Sequence, residues 1–89
     1  MKAYEGKVYG RVQGVGYRYY ARENAEDLQV TGWVRNLPDG SVEFHGEGAP
    51  ENLDEWLRRL KRGPLSGRVE RLVGDGCPPL GGYFRFDIK

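Results

Sequence analysis

The order in which the hydrophobic period changes along this chain is its strongest constraint on fold. From Tyr4 to Gln13 small and apolar residues alternate with polar ones, Val8, Gly10 and Val12 against Lys7, Arg11 and Gln13, the period-two pattern of a half-buried strand. Tyr17, Ala21, Ala25 and Leu28 then fall four, four and three residues apart, which sets one apolar stripe on a helix. Gly32 to Asn36 reads as a second strand. Leu37-Pro38-Asp39-Gly40 supplies a turn, because proline presets its own φ and glycine accepts the last turn position. Alternation resumes from Ser41 to Gly48, with Val42, Phe44 and Gly46 on one face and Glu43, His45 and Glu47 on the other. Leu53, Trp56, Leu57 and Leu60 mark a second helix. Its Glu51, Asp54 and Glu55 come early and its Arg58, Arg59, Lys61 and Arg62 late, matching the helix dipole, and Gly63-Pro64 ends it. Arg68 to Asp75 forms a fourth strand, and Phe84, Phe86 and Ile88 alternate in a short fifth one.

The resulting order, βαββαβ plus an extra C-terminal strand, predicts an α+β sandwich of the ferredoxin-like kind, two helices on one face of a mainly antiparallel sheet. At 89 residues, positions 1–89 are expected to make one domain.

Composition excludes several function classes. Fourteen Lys plus Arg stand against 13 Asp plus Glu, so the chain lacks the basic excess that holds a protein to nucleic acid. The single cysteine, Cys77, rules out an internal disulfide, and with only His45 beside it no structural zinc cluster is expected. Cys77 precedes Pro78-Pro79 and reads as an incidental loop residue. His45, flanked by Glu43 and Glu47, reads as an exposed sheet residue. No metal or other cofactor is anticipated. The N-terminal segment MKAYEGKVYGRV has no apolar run, so a cytoplasmic protein without membrane association is the expectation.

The stretch Gly10-Arg11-Val12-Gln13-Gly14-Val15-Gly16-Tyr17-Arg18 carries the chemistry. In the expected topology strands one and two are parallel with strand three between them, so the loop after strand one and Asn36 at the end of strand two share a sheet edge, about 10 Å apart. The first helix opens with amides that no helical carbonyl accepts, and Gly-Val-Gly-Tyr offers no Ser, Thr, Asp or Asn to cap them. Either solvent or an anion must take them. An anion also explains Arg18, whose charge opposes the helix dipole until a ligand lies between the two. The tyrosines Tyr17, Tyr19 and Tyr20 are read as packing residues with snorkelling hydroxyls.

No Gly-Lys-Ser or Gly-Lys-Thr phosphate loop is present, and no thiol lies near the arginine. With no evident metal, nucleophile or general acid, a suitable substrate carries its own leaving-group activation. A mixed carboxylic–phosphoric anhydride does so, since it departs as a carboxylate needing no proton. The protein then has to hold the phosphoryl group, stabilise charge on its oxygens and place a water in line. Arg18 with the loop amides suits the first two tasks, and Asn36, whose amide donates and accepts, suits the third.

These residues resemble the acylphosphatase family. Val8 to Arg18 is similar to its phosphate-binding loop, and Gly32-Trp33-Val34-Arg35-Asn36, followed by Gly40, Val42 and Gly48, is similar to its second signature. The resemblance implies hydrolysis of a small-molecule acyl phosphate to carboxylate and inorganic phosphate, without a metal, by a monomer. It implies catalytic roles for Arg18 and Asn36 and phosphate binding by Gly14, Val15, Gly16, Tyr17 and Arg18. Tyr17 stands where the family usually has phenylalanine, and a hydroxyl at the loop is expected to alter rate or substrate preference. Two rivals share the fold class: an RNA binder, whose aromatic signature is absent here, and an anion-sensing module, which binds phosphate without turnover.

Overall fold

A computed structural model describes residues 1–89. Its elements are β1 (Lys2–Arg11), α1 (Tyr17–Asp27), β2 (Thr31–Asn36), β3 (Val42–Gly48), α2 (Pro50–Arg62), β4 (Arg68–Cys77) and β5 (Phe86–Ile88). The strands form one sheet in the order β4-β1-β3-β2-β5, antiparallel at each pair except the last, where β5 runs parallel to β2. This is the ferredoxin-like α+β arrangement read from the periodicity.

One core lies between the helices and the sheet. Tyr17, Ala21 and Ala25 from α1 and Leu53, Trp56 and Leu60 from α2 pack on Val8, Val34, Val42 and Phe44. Trp56 is fully buried and meets Phe44 and Phe86 edge-on, with ring centroids 5.5 and 5.4 Å away. Its ring lies so close to β3 that a Cβ on Gly46 would stand 2.4 Å from Cζ3. Glycine is the residue that lets this helix approach the strand. Hydrogen bonds also join the helices: Arg59 on α2 reaches Asp27 and Asn24 of α1 at 2.8 and 3.0 Å, and the Trp56 indole N–H donates to the Ala21 carbonyl at 3.1 Å.

Three local expectations are corrected. Cys77 ends β4 rather than sitting in a loop. Phe84 is not part of the last strand and is 96 % exposed, because Gly81 and Gly82 at φ 70° and 77° turn the chain out of extended geometry and β5 begins only at Phe86. His45 is buried, not exposed. Residues 78–85 fold over that end of the sheet's open face: the Leu80 and Gly81 amides donate to Glu47 at 2.8 and 3.1 Å, and the Tyr83 ring lies 5.5 Å from the imidazole. Glu47 is buried with it. Burial pushes its carboxyl pKa up, but the His45 hydrogen bond and the two loop amides outweigh that and hold it below the usual range.

Candidate active site

At the opposite end of β1 the chain leaves the sheet and enters α1 through Gly14-Val15-Gly16. Gly16 caps the helix at φ 77° with no side-chain hydrogen bond, and no acidic residue lies in the first turn. The first backbone bond is Tyr20 N–H to the Gly16 carbonyl at 3.0 Å, so the amides from Gly14 to Tyr19 donate to no backbone carbonyl. Gly14 and Gly16 lie at φ 74° and 77°, yet a Cβ on either would meet nothing within 4 Å. Backbone angle, not space, requires glycine here. The turn leaves a set of unpaired donors at a helix N-terminus, where the dipole favours negative charge.

Two residues fix this loop that the sequence reading did not single out. Gln13 donates through Nε2 to the carbonyls of Leu37 and Ser41 at 2.8 and 2.9 Å, tying the loop's first residue to the β2–β3 turn. Ser66 Oγ donates to the Val15 carbonyl at 2.8 Å. The turn itself is held by Asp39, whose Oδ1 accepts from the Ser41 hydroxyl and amide at 2.5 and 3.0 Å and whose pKa is lowered by those two bonds. A two-donor amide at a strand end was the available signal for Gln13; its acceptors, 24 and 28 residues away, were not.

Arg18 and Asn36 come together as the topology requires. Both line a concavity of about 190 Å³ with Val12, Gly14, Gly16, Tyr17 and Tyr19. Asn36 ends β2 and is exposed. Arg18 sits in the first turn of α1, half-buried, and its guanidinium donates to the Lys89 main-chain oxygen at 3.3 Å. No carboxylate, imidazole or thiol lines the concavity. The Tyr17 hydroxyl is not at the loop: it points into the core and donates to the Leu60 carbonyl at 2.7 Å. That placement corrects the expectation of a hydroxyl at the loop. Tyr20 likewise donates to the Arg59 carbonyl at 2.7 Å, while Tyr19 stays exposed.

Residues 4–88 match the family model described as Acylphosphatase. The chain belongs to the acylphosphatase family. An acylphosphatase of Methanospirillum hungatei is 52 % identical over 100 % of this chain and 98 % of its own, and one of Syntrophotalea carbinolica is 45 % identical over 93 % and 90 %. The crystal structure of acylphosphatase from Bacillus subtilis superposes with a TM-score of 0.95 at 36 % identity, covering 100 % of this chain and 99 % of that one. As an acylphosphatase the chain is a hydrolytic enzyme. The ferredoxin-like fold is shared with its relatives, and the loop and Asn36 lie where two parallel-running strands, β1 and β2, end on the same side of the sheet with β3 between them.

Proposed function

We propose that this acylphosphatase cleaves the carboxyl–phosphate bond of a small acyl phosphate by direct attack of water, with the phosphoryl group held by the Gly14–Arg18 loop and the water oriented by Asn36. The uncapped run of amides facing the concavity, with Arg18 beside it, carries the reading. The phosphoryl oxygens take the loop amides, and the guanidinium fork grips two oxygens and balances the charge that grows on them. Asn36 accepts from the attacking water through Oδ1 and donates to a phosphoryl oxygen through Nδ2, which aligns water, phosphorus and leaving oxygen. The carboxylate departs without a proton, and the water's protons pass to phosphate and solvent. No carboxylate, imidazole or thiol lines the concavity, and the substrate's own leaving group supplies the activation. The enzyme works as a cytoplasmic monomer, 1–89 forming one domain, with no nucleic acid or membrane partner; no helix is long and apolar enough to cross a membrane.

Hydrolysis of an aryl acyl phosphate, with and without a chelator, and phosphate binding by calorimetry test these roles. Asn36→Ala lowers kcat by about 10²-fold while phosphate affinity changes little, as for loss of one positioned donor. Arg18→Lys loses both turnover and phosphate affinity, since an ammonium cannot grip two oxygens. Phosphate binding lost in Asn36→Ala but kept in Arg18→Lys reverses the assignment; turnover abolished by the chelator and restored by magnesium ends it.

A further inference from the structure

The sheet order brings a second set of reactive side chains together on the open face, far from the phosphate loop. β1 lies between β3 and β4, with Glu5 directly opposite His45 and Ala3 directly opposite Cys77. Glu5, His45 and Cys77 therefore project from one face of three adjacent strands, and their ligand atoms all lie within 4.8 Å of one another. We propose that Glu5, His45 and Cys77 form a binding site for a borderline-soft divalent cation of the zinc type, one that ties β1, β3 and β4 together on the open face.

The donor set comprises one sulfur, one imidazole nitrogen and one carboxylate oxygen, each an accepted zinc ligand and together too soft for magnesium or calcium. In a tetrahedral zinc shell such donors stand about 3.3–3.6 Å apart. His45 Nδ1 and Glu5 Oε1 are already 3.2 Å apart. The Cys77 Sγ lies within 4.8 Å of both donor atoms, and the Glu5 side chain is 61 % exposed.

His45 carries the support expected of a metal ligand. Its Nε2 hydrogen-bonds the buried Glu47 at 2.7 Å, and Glu47 in turn is fixed by the Leu80 and Gly81 amides. A ring whose Nε2–H is committed to a carboxylate presents Nδ1 to the site in a fixed orientation, the carboxylate–histidine–metal relay. The cation takes the Nδ1 lone pair and replaces the Cys77 thiol proton, which is released to solvent, and water fills the fourth position. An adjoining open-face concavity of about 380 Å³, lined in part by Glu5, Asp75 and Cys77, gives a solvent route to the cluster. Lys7 and Arg35 also line it, but Arg35 is paired with Glu43 at 2.6 Å. β1 carries Glu5 and leaves the sheet at Arg11, about 20 Å further on. The cation is thus remote from the reacting phosphate.

Titration of the untagged, reduced protein with Co²⁺ and Zn²⁺ tests the site. Co²⁺ binds one per chain with a thiolate-to-metal absorption band, and Zn²⁺ displaces it and raises Tm. Cys77→Ser removes the band and the Tm rise, and Glu5→Gln, at an exposed position that leaves folding unaffected, keeps the band while weakening Co²⁺ affinity at least about tenfold. Acyl phosphate turnover is the same with and without Zn²⁺. Absence of the band in wild type, or Co²⁺ affinity unchanged in Glu5→Gln, overturns the proposal.

Discussion

Tyr17 offers the sharpest separation of fold from function. In α2 the Leu60 carbonyl lies in the last turn, and the amide four residues on belongs to Pro64, which has no N–H. The Tyr17 hydroxyl supplies the missing donor, at 2.7 Å and in a buried position. Tyr17→Phe keeps the ring, leaves the backbone amides of the Gly14–Arg18 loop untouched, and strands one buried carbonyl. Such an orphan costs about 2 kcal/mol, which in a domain of this size lowers Tm by about 8–16 °C. Thermal unfolding followed by circular dichroism measures that loss, and kcat at a temperature where both forms are folded stays at the wild-type value. An unchanged Tm with an altered kcat refutes the assignment and returns the hydroxyl to the phosphate loop.

The burial of the same hydroxyl gives a pH dependence. Burial, and then the neighbouring Tyr20, push the Tyr17 phenol far above its ordinary value of 10.0. The folded state therefore keeps the proton that the unfolded chain releases. Stability from Tyr17 is fully present below about pH 10 and falls as pH rises beyond it, because only the unfolded chain gains by ionising. Tyr17→Phe flattens this alkaline slope. Tyr20, whose pKa burial raises against the opposing pull of Arg62 and Arg59, preserves part of it.

Two further substitutions probe the supports of core and site. Gly46→Ala drives a methyl group into the Trp56 ring; the overpacked core loses about 1–3 kcal/mol, read as a lowered midpoint in urea, and an unchanged midpoint shows that α2 can shift freely. Gln13→Ala cuts both bonds from the loop to the β2–β3 turn; it costs about 1 kcal/mol in stability and lowers kcat several-fold more than phosphate affinity, whereas equal losses in both place Gln13 in phosphate binding rather than in positioning the turn.

Much of the architecture was legible because local pattern and global fold agree. Leu53, Trp56 and Leu60 fall on the buried face of α2, and Gly63-Pro64 ends that helix. The uncapped turn before α1 was legible for the opposite reason, since Gly14, Gly16 and Arg18 break the local rules of helix capping and dipole pairing. What escaped was whatever depends on strand order. His45 and Cys77 are 32 positions apart and become neighbours only because β1 inserts between β3 and β4. Alternation assigns His45 correctly to the face away from the helices, but it carries no information on residues 78–85, which fold back over that face. Gln13 shows the same limit, because its partners lie across a turn whose position depends on β3 lying next to β1.

A site built from unsatisfied amides and an arginine opposed to the helix dipole weakens the start of α1, and the fold offsets that weakness at a distance. Tyr17 and Tyr20 bind the first turn of α1 to the last turn of α2, while Arg59 holds the far end of α1 through Asn24 and Asp27. Each of those joints uses a carbonyl or carboxylate that faces away from the concavity. The loop side of the helix is therefore free of internal acceptors even though the helix is anchored at both ends. An N-cap serine or aspartate at position 16 would stabilise α1 by about 1 kcal/mol, but its oxygen would occupy the donors we assign to the phosphoryl group, and its Cβ would strain a φ of 77°. Loop chemistry and helix capping compete for the same amides. In this chain the competition is resolved by moving the stabilising contacts to the helix–helix seam, which explains why the Gly14–Gly16 turn can remain poor in side-chain contacts while the residue that opens α1, Tyr17, is among the most buried in the molecule.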